Sequence, residues 1–387
     1  MIHINNKIDC CGCNACGQIC PNQCITQVMD EEGFLYPSLD TNKCIDCGLC
    51  EKVCPMANKK ETPPPIEVFA AKNDDAEVRL QSSSGGIVSK IAESILTSGG
   101  TVAGAVWNRS WMVEHCMIES IEDLYKIRSS KYLQSDIKNT FNDTKVLLDT
   151  GRTVLYTGTP CQISALKLYL RKSYDNLLTV ECVCQSVPSP GVWSKYLQER
   201  VHKDGKKLSD ITRVSFRNKE TGWKGYSCSI DYKDNSRYFK YREKDLWMLG
   251  FRDGLFTRPS CTNCPAKCSH SRADITVGDL WGVSQLAPEL DDDKGLTTVI
   301  VHTESGKSFL EKLNVQHLKD FSLEAVVAKN KAITTSIDVP PGRVKFWNEI
   351  KAGKSILSVL KKITRDPIRI RIRQFISDCY RIIIPRK

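Results

Sequence analysis

The sequence contains no uncharged apolar run of the roughly 18 to 20 residues that a membrane-spanning helix needs. Residues 1–7 also lack the apolar segment of a secretory signal peptide. These two absences predict a cytoplasmic protein. Since thiols stay reduced in that compartment, the 19 cysteines are expected to bind metal rather than to form disulfides.

Several catalytic motifs are also missing. No G-x-G-x-x-G or Walker A sequence follows a predicted strand, so neither an ordinary Rossmann nicotinamide site nor a P-loop nucleotide site is supported. The six histidines form no H-E-x-x-H or H-x-E pattern, and no G-x-S-x-G elbow occurs. Hydrolytic mechanisms therefore have no support in the sequence.

The net charge of +10 raises the question of nucleic-acid binding, because basic surfaces attract phosphate. Metal clusters held by thiolates add negative charge that this formal count omits. Much of the basic excess also lies in the last 30 or so residues rather than across the chain. We therefore expect no nucleic-acid partner.

The cysteines are concentrated at the start of the chain, where ten lie within residues 10–54. Two runs, 34 residues apart, each have the spacing C-x2-C-x2-C-x3-C-P that is found in bacterial two-cluster ferredoxins. The first run contains Cys10, Cys13, Cys16 and Cys20, and the second contains Cys44, Cys47, Cys50 and Cys54. The repeat predicts two [4Fe-4S] clusters.

In such repeats three close thiolates hold one cubane, and the fourth cysteine of the run reaches the other cubane. One cluster is therefore expected to bind Cys10, Cys13, Cys16 and Cys54, and the other Cys44, Cys47, Cys50 and Cys20. Structural zinc is the alternative, but zinc sites use two C-x2-C pairs with a longer spacer rather than two complete four-cysteine runs. Cys11 and Cys24 fall outside the pattern and are interpreted as packing residues.

The composition predicts a domain boundary after the cysteine repeat. Residues 59–66 are charged and then rich in proline, which is typical of a semi-rigid linker. Beyond them, short β-branched runs alternate with helical patterns. We expect an α+β ferredoxin-like two-cluster module over residues 1–58, followed by a larger α/β mixed-sheet domain over residues 67–335 and a basic extension over residues 336–387.

Two predicted strand-to-helix turns carry residues suited to a cofactor. In the first, Ser82 to Gly86, hydroxyls and unhindered N–H groups at a helix start suit a pyrophosphate, although a serine N-cap in a flexible loop explains it equally. In the second, Thr159 is the expected N-cap and Pro160 the first helical residue. Cys161 then lies in the first turn, where it is either a ligand, a reactive thiol or a packing residue.

Further cysteines follow along the larger domain. Cys182 and Cys184 end a predicted strand, and Cys261, Cys264 and Cys268 form a second group. Because strand ends and helix starts of an α/β fold meet at the carboxyl edge of the sheet, these residues and Cys161 are expected to form a third metal site. Their spacing fits either zinc or an iron-sulfur cluster.

Five segments, taken in order, resemble the beta-subunit family of coenzyme F-420-reducing hydrogenases and dehydrogenases, in the form preceded by a two-cluster ferredoxin module. They are Ser83 to Gly86, Ser130 to Ser135, Gly158 to Gln162, Val187 to Pro190 and Ala273 to Gly282. The resemblance extends to about residue 285. One departure is Cys184-Gln185-Ser186, where many relatives have Cys-His-Gly.

The resemblance implies an iron-sulfur flavoprotein oxidoreductase, with FAD and a third [4Fe-4S] cluster in the larger domain. Electrons would pass between the clusters and an organic acceptor, either the deazaflavin coenzyme F-420 or another substrate. The flavin would be surrounded by Ser83, Ser84, Gly85, Gly86, Lys131, Tyr132, Gly158 and Thr159, with Asp279 either beside the cofactor or capping a turn. The third cluster would bind Cys161, Cys184, Cys261 and Cys264, with Cys268 as the substitute for Cys184.

Two questions about partners stay open in the sequence. The chain is either an oxidoreductase with its own acceptor or an electron-relay subunit docked on a redox partner, such as a ferredoxin or another oxidoreductase subunit. Residues 361–387 combine arginines and lysines with isoleucines. This tail either contacts an anionic membrane surface or a partner, or packs as a solvated extension.

Overall fold

The computed structural model describes Ile2, residues 4–267 and residues 270–364. Its strands are β1 Ile25–Met29, β2 Leu35–Leu39, β3 Glu67–Ala71, β4 Thr101–Trp107, β5 Val113–Ile118, β6 Val154–Gly158, β7 Leu177–Cys182, β8 Ile211–Asn218, β9 Ser227–Tyr232, β10 Arg237–Tyr241, β11 Ile275–Asp279, β12 Thr297–Val301 and β13 Lys319–Asp320. Its helices are α1 Ala15–Ile19, α2 Leu49–Lys52, α3 Ala76–Gln81, α4 Ile87–Thr97, α5 Leu124–Ile127, α6 Thr140–Asp149, α7 Pro160–Leu170, α8 Pro190–Lys203, α9 Leu246–Arg252, α10 Val283–Leu286, α11 Glu304–Lys312, α12 Leu323–Lys329, α13 Arg343–Lys351 and α14 Ile356–Thr364.

The N-terminal module consists of the antiparallel hairpin β1–β2 and the two short helices α1 and α2. Each helix follows a residue in the left-handed region, Asn14 with φ 55° and Gly48 with φ 71°. Each also carries the third cysteine of its run, Cys16 in α1 and Cys50 in α2. The tight turns thus bring three cysteines of each run onto one curved loop.

The larger domain is built on a mixed sheet, as predicted. Eight strands lie in the order β13-β3-β12-β11-β7-β6-β4-β5 within the described residues. The four central strands β11, β7, β6 and β4 are parallel, and the outer strands join them antiparallel. Strand β7 is buried along nearly its whole length, which is typical of a parallel strand covered by helices on both faces.

The four parallel strands end at one edge of this sheet. Their last residues are Trp107, Gly158, Cys182 and Asp279. Helix α7 begins two residues after β6, with Thr159 as N-cap and Pro160 at the first position, as predicted. The carboxyl edge therefore gathers polar and thiol side chains from segments far apart in sequence.

A second sheet lies beside the first one, with antiparallel strands in the order β10-β9-β8. Its apolar face shares a core with helices α8, α9, α13 and α14, and that core contains Trp193, Trp247, Phe256, Phe346 and Leu360. Helices α13 and α14 lie within the residues expected to form a basic extension, yet they pack into this core. Lys361 and Lys362 belong to α14, whereas residues 365–387 of the predicted tail lie outside the described residues.

Direct contacts attach the N-terminal module to the larger domain. Gly33 and Gly191 meet backbone to backbone, because a Cβ on Gly33 would lie 2.5 Å from the Gly191 Cα. Ser189 donates a hydrogen bond of 2.5 Å to the carbonyl of Glu32, and the Glu32 carboxylate pairs with Arg343. The linker over residues 59–65 has no regular structure, so these contacts, rather than the linker, fix how the two parts meet.

No helix of the part of the chain that the structure describes is long and apolar enough to cross a membrane.

Candidate cofactor and iron-sulfur sites

The N-terminal cysteines surround two separate small cavities. The first is lined by Cys10, Cys13, Cys16 and Cys54, with Cys11 beside them. The second is lined by Cys20, Cys44, Cys47 and Cys50, with Cys24 beside them. The structure thus brings together each of the two crossed ligand sets that the repeat predicts. Four thiols around one cavity are the donor set that a cubane needs.

Cys24 lies closer to one of these sets than a packing role requires. Its sulfur is 3.2 Å from the Cys20 sulfur, and both line the second cavity. Across the described residues, no three or more His, Cys, Asp or Glu side chains are grouped so that they could hold a single metal ion.

The cysteines of the larger domain also approach one another. Cys161 lies in the first turn of α7, Cys184 follows β7, and Cys261 and Cys264 lie in and just after the 3-10 turn Pro259–Asn263. Burial raises the pKa of Cys261 to about 12 and of Cys264 to about 11, and the Cys161 thiol adds to both shifts. Such buried thiols become thiolates only beside a positive centre, as a metal cluster provides. Cys268 lies outside the described residues.

Cys11 connects the two groups of cysteines. Its thiol is buried and takes part in hydrogen bonds with Cys13 on one side and Cys161 on the other. The hydrogen bond with Cys13 and burial together raise the pKa of Cys11 well above its usual value. Cys11 thus packs in a buried cluster with Cys13 and Cys161, between the first N-terminal set and the set in the larger domain.

A cavity of about 650 Å³ opens at the carboxyl edge of the large sheet. Most of the residues predicted to surround a flavin line it, namely Ser83, Ser84, Gly86, Lys131, Tyr132, Gly158, Thr159 and Asp279. Gly85 packs behind the wall instead, where its N–H donates a hydrogen bond of 2.9 Å to the Thr297 hydroxyl. A Cβ on Gly85 would lie 2.7 Å from the Ala71 carbonyl oxygen, so only glycine allows the turn to approach β3 this closely.

The serine-glycine turn ends at the start of helix α4, and that helix start reaches the cavity wall. The N-cap of α4 is Gly86, with φ 86°, so the alternative of a serine N-cap is wrong. Ser83 instead accepts a hydrogen bond of 2.6 Å from the Ser130 N–H, and the Ser84 hydroxyl donates to the Leu296 carbonyl. The serines therefore brace the turn, while Gly86, Ile87 and Val88 of the helix start line the cavity.

Arg217 is a cavity residue that the sequence did not identify. Its guanidinium forms a bidentate ion pair with Asp279 and donates hydrogen bonds to the Tyr132 hydroxyl at 3.1 Å and the Ser83 carbonyl at 2.7 Å. Tyr226 lies against it at 4.2 Å. No motif surrounds Arg217, which lies near the end of β8, and only its position in the second sheet brings it here.

Asp279 and Lys219 show how this wall is held. The Asp279 carboxylate accepts hydrogen bonds from Arg217 and from the Trp223 indole at 2.9 Å, so it binds across the wall rather than capping a turn. Lys219, also missed from the sequence, donates to the carbonyls of Arg79, Ser84 and Lys294 at 2.7 to 2.8 Å. The buried side chains of Arg217 and Lys219 therefore fix the consecutive carbonyls of Ser83 and Ser84.

Lys131 and His115 bring two unusual side chains to the same cavity. Burial lowers the pKa of Lys131 to about 7, and its amine nitrogen lies 3.3 Å from the carbonyls of Arg128 and Ser129. Burial also lowers the pKa of His115 to about 4. The His115 Nε2 lies 3.1 Å from the Thr157 carbonyl and must donate to it. This leaves Nδ1 as a buried acceptor that has no partner among the described residues. The Lys131 amine and the His115 Nδ1 are therefore both suited to bind a polar ligand.

Family models match about three quarters of the chain. The model for the C terminus of the coenzyme F420 hydrogenase/dehydrogenase beta subunit matches residues 151–323, and the model for its N-terminal part matches residues 68–141. A 4Fe-4S dicluster domain matches residues 9–58.

Individual proteins are similar over different lengths. A subunit of the F(420)H(2) dehydrogenase of Methanosarcina mazei is 23% identical over 321 residues, which are 78% of this chain and 81% of that protein. The coenzyme F420-dependent sulfite reductase of Methanocaldococcus jannaschii is 29% identical over 172 residues, which are 42% of this chain but only 26% of that protein. A chain of the F420-reducing [NiFe] hydrogenase complex from Methanosarcina barkeri covers 70% of this chain, at 15% identity and a TM-score of 0.47.

Proposed function

We propose that this chain, which belongs to the coenzyme F420 hydrogenase/dehydrogenase beta-subunit family, is an oxidoreductase that carries electrons between its iron-sulfur clusters and an organic acceptor by way of FAD. The family and the 4Fe-4S dicluster domain are its established features. FAD, the third cluster, the acceptor and the individual ligands are our assignments. The predicted division into residues 1–58, 59–66, 67–335 and 336–387 also stays a prediction.

The observation that carries this proposal is the position of Cys184. It lines the 650 Å³ cavity, and burial together with the nearby thiols of Cys261 and Cys161 raises the pKa of the Cys184 thiol. The cavity and the cysteine group of the larger domain therefore share a wall. A cluster bound by Cys161, Cys184, Cys261 and Cys264 would lie directly beside whatever occupies the cavity.

The cavity fits a flavin nucleotide in size and in chemistry. Its volume of about 650 Å³ is in the range of small-molecule sites, which is roughly 300 to 1,000 Å³. The start of helix α4 and Lys131 suit a pyrophosphate, and the His115 Nδ1 suits an N–H or O–H donor. When bound, FAD would allow single electrons from clusters to leave as a pair.

The three groups of cysteines suggest an order for electron transfer. The second N-terminal set includes Cys47, which is exposed, so a partner can approach it from solvent. The first set lies next, and Cys11 connects it to Cys161. We call the set of Cys20, Cys44, Cys47 and Cys50 the outer set, and the set of Cys10, Cys13, Cys16 and Cys54 the inner set. We propose that a redox partner exchanges electrons with the outer set. The electrons then pass through the inner set to the larger domain.

The acceptor is proposed by analogy with the relatives. Their names associate them with coenzyme F420, one as part of an F(420)H(2) dehydrogenase and the other as an F420-dependent sulfite reductase. We propose a two-electron organic carrier for this chain, either the deazaflavin or another carrier of that class.

An electron-relay role without a substrate of its own is the second candidate. Ile45 is 64% exposed and lies two residues before the exposed Cys47, so the outer set presents an apolar edge to a partner. A relay subunit would purify with a partner in a fixed ratio and would not turn over a soluble acceptor. Turnover by the isolated chain would exclude it.

Anaerobic purification followed by metal and flavin analysis tests the main proposal. We expect about 12 iron atoms per chain, from four per cubane, and one FAD. Cys261→Ser should lower the count to about 8, whereas Cys182→Ala, in a cavity-lining thiol outside the ligand set, should leave about 12. Zinc in place of iron, or an unchanged count in Cys261→Ser, would refute the assignment.

A further inference from the structure

Arg258 is a fully buried arginine between the N-terminal module and the larger domain. Its guanidinium donates to the carbonyls of Cys10 at 2.8 Å and Leu35 at 3.0 Å, and to the Gln134 side-chain oxygen at 3.0 Å. The ring of Tyr36 lies 4.2 Å away. These acceptors are all neutral, so none of them balances the charge of the guanidinium.

The same guanidinium touches a proposed cluster ligand. Its Nη2 lies 3.4 Å from the Cys10 sulfur, within hydrogen-bonding distance for sulfur. The cysteine loop is closed tightly around it, since a Cβ on Gly12 would lie 2.6 Å from Nη1. The positive charge is therefore held against the loop that presents Cys10, Cys11 and Cys13.

The backbone of Arg258 belongs to the other metal site. Its N–H donates to the Val187 carbonyl at 3.0 Å, and its own carbonyl accepts a hydrogen bond of 3.0 Å from the Cys261 N–H. One residue thus contacts the inner N-terminal set and positions a ligand of the third set.

We propose that Arg258 raises the reduction potential of the cluster held by Cys10, Cys13, Cys16 and Cys54. This rests on the cluster assignment in the proposed function. A buried positive charge and an N–H···S contact both stabilise the more negative, reduced form of a cluster, and both effects are strong where water is excluded. Arg258 therefore favours movement of an electron inward from the outer cluster, which it does not contact.

The test compares two substitutions of Arg258 with a matched control. Arg258→Gln removes the charge and Arg258→Lys keeps it. Arg343→Gln is the control, because Arg343 also joins the module to the larger domain, through Glu32. Within the described residues its hydrogen bonds go to Glu32 and Leu255 and to no cysteine. Each full-length variant is purified anaerobically, its iron is counted, and its clusters are titrated electrochemically with EPR detection. The signal lost in Cys10→Ser identifies the inner cluster.

In Arg258→Gln we expect the reduced-to-oxidised ratio of the inner cluster at a fixed solution potential to fall at least tenfold, which corresponds to about 59 mV for one electron. The outer cluster should not shift, and Arg343→Gln should shift neither cluster. In Arg258→Lys the same ratio should fall by roughly threefold. The shorter lysine side chain keeps the charge but not the contact with the Cys10 sulfur.

Unchanged inner-cluster potentials in variants that retain iron would overturn the proposal. If Arg258→Gln fails to fold or to bind iron, Arg258→Lys tests the contact with the Cys10 sulfur, and an unshifted inner-cluster potential in that variant would refute the contribution of this contact. Equal shifts of both clusters would also contradict it, since they would reflect a general loosening of the module. Wild-type protein without iron in the module would instead refute the proposed function.

Discussion

Arg217 and Asp279 form a bidentate ion pair in the wall of the large cavity, with 2.7 Å from Nη1 to Oδ2 and 2.9 Å from Nη2 to Oδ1. Arg217 comes from the small antiparallel sheet, and Asp279 ends a central strand of the large one. The pair therefore joins the two sheets at the point where the serine-glycine turn is held. Charge pairs of this kind, once buried, cost much more to break than exposed ones.

Replacing Arg217 with methionine tests this arrangement. We expect the free energy of unfolding to fall by about 3 to 5 kcal/mol, because Asp279 keeps a buried charge without its partner. Flavin content per chain should fall as well, since the Ser83 carbonyl and Tyr132 lose their donor. Denaturant titration and release of bound flavin measure the two effects. Arg213→Met, in an exposed arginine of the same strand, should change neither, and full flavin content in Arg217→Met would contradict the assignment.

Lys131 should make cofactor binding depend on pH. Its pKa is lowered to about 7 by burial, so the ammonium form is present in the empty cavity below that pH and must be formed by proton uptake above it. Affinity of deflavinated protein for FAD should therefore be flat below about pH 7 and fall by up to tenfold per pH unit above it. Titrations from pH 6 to 9 measure this slope. The slope should vanish in Lys131→Met. It should persist in the control Lys126→Met, which alters an exposed lysine. A slope retained in Lys131→Met would show that Lys131 is not the group that makes FAD affinity depend on pH.

The crossed ligation predicted for the module gives a specific expectation for Cys54. Although Cys54 follows Cys44, Cys47 and Cys50 in sequence, it lines the cavity of the other set. Cys54→Ser should therefore abolish the EPR signal that Cys10→Ser abolishes and keep the one that Cys44→Ser removes, with loss of about four iron atoms in each variant. Cys116→Ala, in a thiol of β5, should keep both signals. Loss of the same signal in Cys54→Ser and Cys44→Ser would mean that each run holds its own cluster.

The close contact between Gly33 and Gly191 predicts a specific cost of adding one methyl group. In Gly33→Ala the new Cβ would lie 2.5 Å from the Gly191 Cα, and the residue also has φ 76°. Gly205→Ala is the control, because Gly205 has φ 70° but open space around it. Both variants should lose about 1 kcal/mol from the strained backbone, and only Gly33→Ala should lose a further 1 to 3 kcal/mol from the clash. An equal loss of unfolding free energy in the two variants would show that the backbone at Gly33 and Gly191 moves apart to accept the methyl group.

The sequence predicted the parts of the fold that repeat or alternate locally. The paired cysteine runs predicted which cysteines line each small cavity of the module, and the alternation of apolar strands with helices predicted the mixed sheet. The start of helix α7 was predicted correctly, since Thr159 and Pro160 are local signals for a helix start. The small sheet β8–β10 was not anticipated, and neither was the packing of α13 and α14 into its core, because these depend on contacts between distant segments.

The candidate site divides in the same way. Ser83, Ser84 and Asp279 belong to recognisable segments, whereas Arg217 and Lys219 have no motif and acquire a role only when β8 lies against the serine-glycine turn. Cys11 was interpreted as packing because its spacing fits no ligand pattern, and its position between Cys13 and Cys161 is purely three-dimensional. Arg258 likewise lies 248 residues from the Cys10 it contacts.

The contacts between the N-terminal module and the larger domain have a consequence for protein engineering. Gly33 must present bare backbone to Gly191, the carbonyls of Cys10 and Leu35 must receive Arg258, and Glu32 must meet both Ser189 and Arg343. A two-cluster module from another protein would have different side chains at each of these positions. It would therefore not form the contacts that hold this module against the larger domain. The N-terminal module therefore cannot be exchanged for the module of another protein. New electron donors for this protein must instead be designed to bind its outer surface.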